Sequence, residues 1–187
     1  MGTKETSSGK RMRTPKPLDQ RKLNDLALSY VARFATSAAK LEAYLCRKLR
    51  ERGQADEDEQ LDIAAIVDRM VELRYIDDEA YARSKAGGLL RRGYGGRRVD
   101  QALRAAGIDE NVRNDVAPTE KASRLAAFAL AQKRRFGPFG PEPVQRDRQE
   151  KQIAAMIRAG HGFDSARALV GAQTIEQAEE WLSQADD

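Results

Sequence analysis

Residues 91–98 read Arg-Arg-Gly-Tyr-Gly-Gly-Arg-Arg, four guanidinium groups around a glycine turn. A glycine-rich turn that opens a helix is one way for backbone amides to hold a phosphate. Nucleotide chemistry needs more than this. Neither G-x-x-x-x-G-K-[ST] nor G-x-G-x-x-G is present, and no strand-like apolar run leads into the turn. Two readings of the stretch remain: a corner between helices whose arginines point to water, or a contact for a macromolecular partner. Arg97 and Arg98 favour contact, because they open the following helix where their charge opposes its dipole. A second basic run, Lys133, Arg134 and Arg135, closes a later helix. Tyr94, Phe136 and Phe139 fall in turns beside these clusters, where a ring can stack on a base or pack into a partner.

Other chemistries find little support. In Tyr-Ile-Asp-Asp-Glu-Ala-Tyr, residues 75–81, the paired carboxylates read as a helix start, with Asp77 as N-cap and Asp78 and Glu79 in the first turn. Cys46 is the single cysteine and lies among apolar helix positions, so it reads as a small core residue. His161 is the single histidine and has no recognisable triad partner; it reads as a turn residue. No catalytic residue, metal site or cofactor is expected.

The elements that must position these residues are helical throughout. Leu26, Tyr30, Val31 and Phe34 define the apolar stripe of a first helix. Ser37 caps a second that stops at Gly53, and Ile63, Ile66, Val67, Met70 and Val71 mark a third. Asp77 caps a fourth that runs to Gly93, and Gly95 and Gly96 open a fifth that ends at Gly107. Asp109 caps a short sixth, and Thr119 begins a seventh that runs to Arg135. After a Phe-Gly-Pro-Phe-Gly-Pro-Glu-Pro loop come an eighth helix, a ninth beyond Gly160, and a tenth opened by Thr174 with Gln177.

Gly53, Gly107 and Gly160 each end a helix and lie 53 or 54 residues apart. Their lead-ins, KLRERG, ALRAAG and MIRAG, are alike. The repetition predicts an all-α, elongated array of three tandem three-helix units, at 23–76, 77–118 and 119–172, followed by a C-terminal helix and tail at 173–187. Residues 1–22 carry seven Lys/Arg against Glu5 and Asp19 and hardly any apolar residue, which predicts a disordered basic arm removable without harm to the fold. The body is charged in blocks. Asp56–Glu79 sums to −8, whereas Arg83–Arg104 and Lys121–Arg158 sum to +6 each. Such faces suit a charged macromolecule better than a small substrate. With no apolar run near the roughly 18 residues that span a bilayer and no secretory leader, the expectation is a cytoplasmic protein with no membrane partner.

The segments TSAAKLEAYLCRKLRERG, VDRMVELRYIDDEAYAR, RRGYGGRRVDQALRAAGI and IRAGHGF resemble the RecX family of recombination regulators over residues 23–172. Gln54 stands where a hydrophobic residue is expected, and the Phe-Gly-Pro loop lengthens the third unit. The resemblance implies a protein that is no enzyme, lies in the groove of the RecA filament on single-stranded DNA, and lowers strand exchange, ATP hydrolysis and co-protease activity, so modulating DNA repair and the SOS response; the chain is expected to be a monomer. Arg91, Arg92, Tyr94, Arg97, Arg98, Lys133, Arg134 and Arg135 are then the expected contacts to the filament or directly to its DNA. The alternative is a general nucleic-acid-binding helical protein acting through its arm and arginine-rich corner.

Overall fold

A computed structural model describes residues 16–58, 60–141 and 145–185. Its helices are α1 (Gln20–Val31), α2 (Ala38–Arg52), α3 (Ile63–Glu72), α4 (Asp78–Arg91), α5 (Gly96–Arg104), α6 (Glu110–Asp115), α7 (Glu120–Arg134), α8 (Arg146–Arg158), α9 (Phe163–Gly171) and α10 (Ile175–Ser183), with a 3-10 turn at Gly137–Phe139. Side-chain caps start most of them: Asp19, Ser37, Asp62, Asp77, Thr119 and Thr174 each accept the amide three residues on. Each such cap satisfies an amide that has no partner inside its helix.

Three hydrophobic clusters follow one another along the chain. Leu23, Leu41, Leu45, Ile66 and Met70 join α1, α2 and α3. Ala82, Leu89, Val99, Leu103 and Ile108 join α4, α5 and α6. Leu130, Met156, Leu169 and Val170 join α7, α8 and α9, and α10 adds Ala178 and the flank of Trp181. The result is an all-α helical array. Between the second and third clusters, α4 packs on α7.

Capped by Asp19, the first helix starts at Gln20, three residues before Leu23, and Leu23 and Ala27 take its fully buried positions, while Leu26, Tyr30 and Val31 of the expected stripe pack partly buried against the same cluster. The helix ends at Val31, which leaves Phe34 in the following turn and 56% exposed. The expected arm boundary at residue 22 is corrected by the same observation. Leu18 is fully buried in the first cluster, and Gln20–Lys22 form the first turn of α1. A single apolar residue among charges carries no periodicity, which is why the burial of Leu18 was illegible. Residues 1–15 lie outside the described residues.

The spaced glycines mark where successive units meet. Gly107 lies so close to the Ala39 methyl that a Cβ could not be accommodated; beside it, the Ser37 hydroxyl donates to the Ala106 carbonyl. Asp78 accepts the Ala38 amide at 3.0 Å across the same junction. At the next junction the Gly95 amide donates to the Ala159 carbonyl at 2.9 Å, and the Arg97 amide to the Gly160 carbonyl at 3.2 Å. A Cβ on Gly95 would overlap the Gly160 carbonyl and lie 2.6 Å from the His161 amide nitrogen. Gly53 takes a different partner: the Leu18 amide donates to its carbonyl at 2.9 Å, and the Ala55 amide returns to Leu18 at 2.7 Å. The segment around Leu18 thus covers the glycine corner that, in the later units, meets the preceding unit.

Two substitutions test this arrangement. Leu18→Ala should lower stability in urea by about 2–5 kcal/mol, as for a buried leucine, rather than the roughly 0.5 kcal/mol of a solvated arm. Gly95 and Gly162 are both N-caps with negative φ (−82° and −70°), but only Gly95 is crowded, since a Cβ on Gly162 meets nothing within 4 Å. Gly95→Ala should therefore destabilise by about 1–3 kcal/mol more than Gly162→Ala in the same unfolding measurement.

Candidate functional site

The Arg-Arg-Gly-Tyr-Gly-Gly-Arg-Arg stretch is the corner between α4 and α5. Its glycine turn is no phosphate cradle. Gly93 has φ +85° and is buried, and the Gly95 and Arg97 amides are engaged by the carbonyls of the next unit rather than open to an anion. The corner seats against the α8–α9 turn, and this seating gathers side chains from three helix ends.

Arg92 and Tyr94 from the corner, Lys133 and Arg134 from the end of α7, and Arg158 from the end of α8 line one cavity of about 300 Å³ with Leu130 and Phe136. Among the described residues no carboxylate lines it. The described ion pairs of the chain, such as Arg47–Glu51, Arg83–Glu79 and Arg104–Asp100, lie elsewhere. Arg92 is braced by its own helix, donating to the Gly88 carbonyl at 3.0 Å, and its guanidinium lies 6.0 Å from the centre of the Tyr94 ring.

Of the residues expected from sequence, the structure brings Arg92, Tyr94, Lys133 and Arg134 together here. Arg91, Arg97, Arg98 and Arg135 are exposed nearby in the chain but do not line the cavity; Arg98 donates to Gln101 at 2.8 Å. Phe139 packs edge-on against Phe128 at 5.1 Å and belongs to the third core. Sequence reasoning missed Arg158, although it stands in the MIRAG lead-in that the glycine spacing singles out.

The cavity is positive on balance. Its cations stand at the C-terminal ends of α4, α7 and α8, where each helix dipole supplies about half a negative charge against four full positive charges. The helix ends let the cations sit close together without cancelling them. Such a surface attracts a polyanion or an acidic protein face.

The paired carboxylates of residues 75–81 do structural work: Asp77 caps α4 through the Ala80 amide at 2.8 Å, and Asp78 holds the start of α2. Cys46 is half-buried in α2. Among the described residues no group of three His, Cys, Asp or Glu side chains is gathered as for a metal ion, and no helix is long and apolar enough to cross a membrane.

His161 is the main departure from expectation. It does lie in the α8–α9 turn, but it is only 3% exposed, and its Nε2 lies 2.9 Å from the Gly93 carbonyl across the unit junction. A carbonyl can only accept, so Nε2 carries the proton and the ring donates. Burial pulls the pKa of His161 down, opposed in part by the Gly93 carbonyl. A base whose folded pKa is depressed contributes its full share to stability above its unfolded value, about 6.5, and loses it as pH falls from there through the folded value. Urea unfolding between pH 7.5 and 5.5 should therefore show a fall in stability that His161→Gln reduces; equal slopes for the two proteins would contradict this role.

Comparison with known proteins converges on one family. Residues 77–116, which hold α4, α5 and α6, match the family model described as RecX, second three-helix domain. The chain is 32% identical over 168 residues to the regulatory protein RecX of Myxococcus xanthus (strain DK1622), covering 83% of this chain and 88% of that one. It is likewise 32% identical over 144 residues to the regulatory protein RecX of Thermus thermophilus, covering 76% and 87%. The crystal structure of RecX from Lactobacillus salivarius superposes with a TM-score of 0.62 at 22% identity, covering 82% of this chain and 95% of that one, so the helical array is shared. The matched second unit, the repeated glycine corners and the coverage of full-length relatives together place this chain in the RecX family.

Proposed function

We propose that this chain regulates the RecA recombinase by lying on the RecA filament formed on single-stranded DNA, where it lowers strand exchange, ATP hydrolysis and co-protease activity. In that setting it modulates DNA repair and the SOS response in the cytoplasm, acting as a monomer and without a chemical step of its own. The observation that carries this reading is the cluster of Arg92, Lys133, Arg134 and Arg158, four cations with no carboxylate among the described residues that line their cavity. A surface of this kind is matched by a filament that presents phosphates and repeated protein faces together. An array touching several identical protomers gains from multivalent contact, which suits a regulator that must prefer filament over free components. Arg91, Arg97, Arg98 and Arg135 extend the basic surface beyond the cavity.

The purified chain should inhibit RecA-mediated strand exchange while turning over no ATP when alone. Arg92→Glu with Arg134→Glu should raise the concentration needed for half-inhibition by about tenfold or more, as when contacts worth about 1.4 kcal/mol are lost. The exposed pair Arg97→Glu with Arg98→Glu should have the smaller effect. Binding to bare single-stranded DNA as tight as to RecA-coated DNA would favour a general nucleic-acid-binding protein instead, and ATP turnover by the chain alone, persisting through repurification, would overturn the reading.

A further inference from the structure

The two junctions of the array are built differently. Between the second and third units α4 packs on α7, Gly93 lies against Leu130 of the third cluster, and the main-chain bonds from Gly95 and Arg97 close the corner. Between the first and second units no main-chain to main-chain hydrogen bond crosses among the described residues. Besides the seating of the Ala39 methyl at Gly107, three polar side-chain contacts hold it. The Ser37 hydroxyl donates to the Ala106 carbonyl, the Asp78 carboxylate accepts the Ala38 amide at 3.0 Å, and Lys40 Nζ donates to the Tyr81 hydroxyl at 2.7 Å. We propose that the first junction is a hinge. The first unit swings as a body against the rigid pair formed by the second and third, and Ser37, Asp78 and the Lys40–Tyr81 pair are the latch that holds it closed.

Three features make this a joint and the second junction a fixed one. The first is the pivot. Ile76 is buried in the first cluster, and the next residue, Asp77, caps α4 through the Ala80 amide, so a single peptide link joins the two bodies. Two residues before that link, Arg74 has φ +57°, a left-handed conformation that is uncommon outside glycine and that gathers at switch regions.

The second is room to move. A cavity of about 520 Å³ flanks the latch, lined by Thr36 and Lys40 from the first unit and by Tyr81, Ser84, Lys85 and Gly88 from the second. A closely packed interface leaves no such space. The third is what opening exposes. The hydroxyl, carbonyl, amide and carboxylate of the latch each find water as a new partner, so the closed and open forms stay near one another in free energy. Parting α4 from α7 would uncover the apolar surface of Leu130, for which water offers no replacement. In an array that meets a repeating partner at several points, a hinge sets the spacing of the outer contacts. That consequence rests on the filament reading; the hinge does not.

The test uses the full chain with Cys46→Ala, which removes its native thiol, and nitroxide labels on introduced cysteines. Asp25→Cys with Asn111→Cys spans the first junction, and Asn111→Cys with Lys151→Cys the second; all three positions are exposed. Distances are read by double electron–electron resonance with and without Asp78→Ala/Tyr81→Phe, which removes two of the latch contacts while keeping the ring at position 81. The distribution across the first junction should widen at least about twofold in the latch variant, and the one across the second should stay narrow in both proteins. A first-junction distribution that stays narrow without the latch, or a second-junction distribution as broad as the first, would overturn the hinge. Thermal unfolding checks that the labelled proteins fold. Should they fail to, amide hydrogen exchange in the unlabelled chain decides, because the Ala38 amide is bonded across the first junction and the Gly95 and Arg97 amides across the second. Protection at Ala38 should be at least about tenfold lower than at Gly95 and Arg97, and equal protection would overturn the hinge. Both readouts use the chain alone, so strand-exchange inhibition, measured separately, tests the filament reading whatever the hinge does.

Discussion

The close approach of two backbones at Gly95 and Gly160 is the constraint on which the basic surface depends. Neither residue has room for a side chain: a Cβ on Gly160 would sit 2.7 Å from the Arg98 Cβ, and one on Gly95 would overlap the Gly160 carbonyl. Gly160 also has φ +97°, a conformation that other residues adopt only under strain. With the two corners in contact, main-chain hydrogen bonds and the buried His161 tie the second unit to the third. That seating brings the ends of α4, α7 and α8 together, and it is the ends of these helices that carry Arg92, Lys133, Arg134 and Arg158. The rigidity of the junction and the position of the cations are therefore one property.

Electrostatics explains why such a cluster is tolerated and why it stays reactive toward a partner. The converging helix ends offset part of the repulsion among the four side chains, and the exposed positions keep them hydrated. Some arginines elsewhere are neutralised locally, as by the Asp100 carboxylate shared by Arg104 and Arg113. The same reasoning dismisses the glycine-rich turn as a phosphate cradle, because its amides serve the unit junction.

Much of this was legible in the sequence, for physical reasons that can be named. Helix starts are local: Ser37, Asp77, Thr119 and Thr174 each bond an amide three residues away, so the short-range pattern announces them. The recurrence of Gly53, Gly107 and Gly160 revealed the repeat because each follows the end of its helix with a positive φ (+73°, +70° and +97°), a conformation that favours glycine. What a glycine packs against is long-range and left no local mark. Leu18, more than 30 residues from the Gly53 corner, looked like part of a solvated arm, and His161, 68 residues from its Gly93 partner, looked like a turn residue. Arg97 and Arg98 drew notice by opposing a helix dipole, whereas Arg158, placed favourably at a helix end, did not; the cavity includes the last and omits the first two.

A reconstruction by electron cryomicroscopy of this chain bound to RecA filaments on single-stranded DNA would test the central claim most directly, since it reports which side of the array meets the filament. The account predicts the cavity of Arg92, Lys133, Arg134 and Arg158 turned toward the filament, with these side chains beside backbone phosphates or recombinase carboxylates. A complex in which that cavity faces solvent, away from the filament, would contradict it.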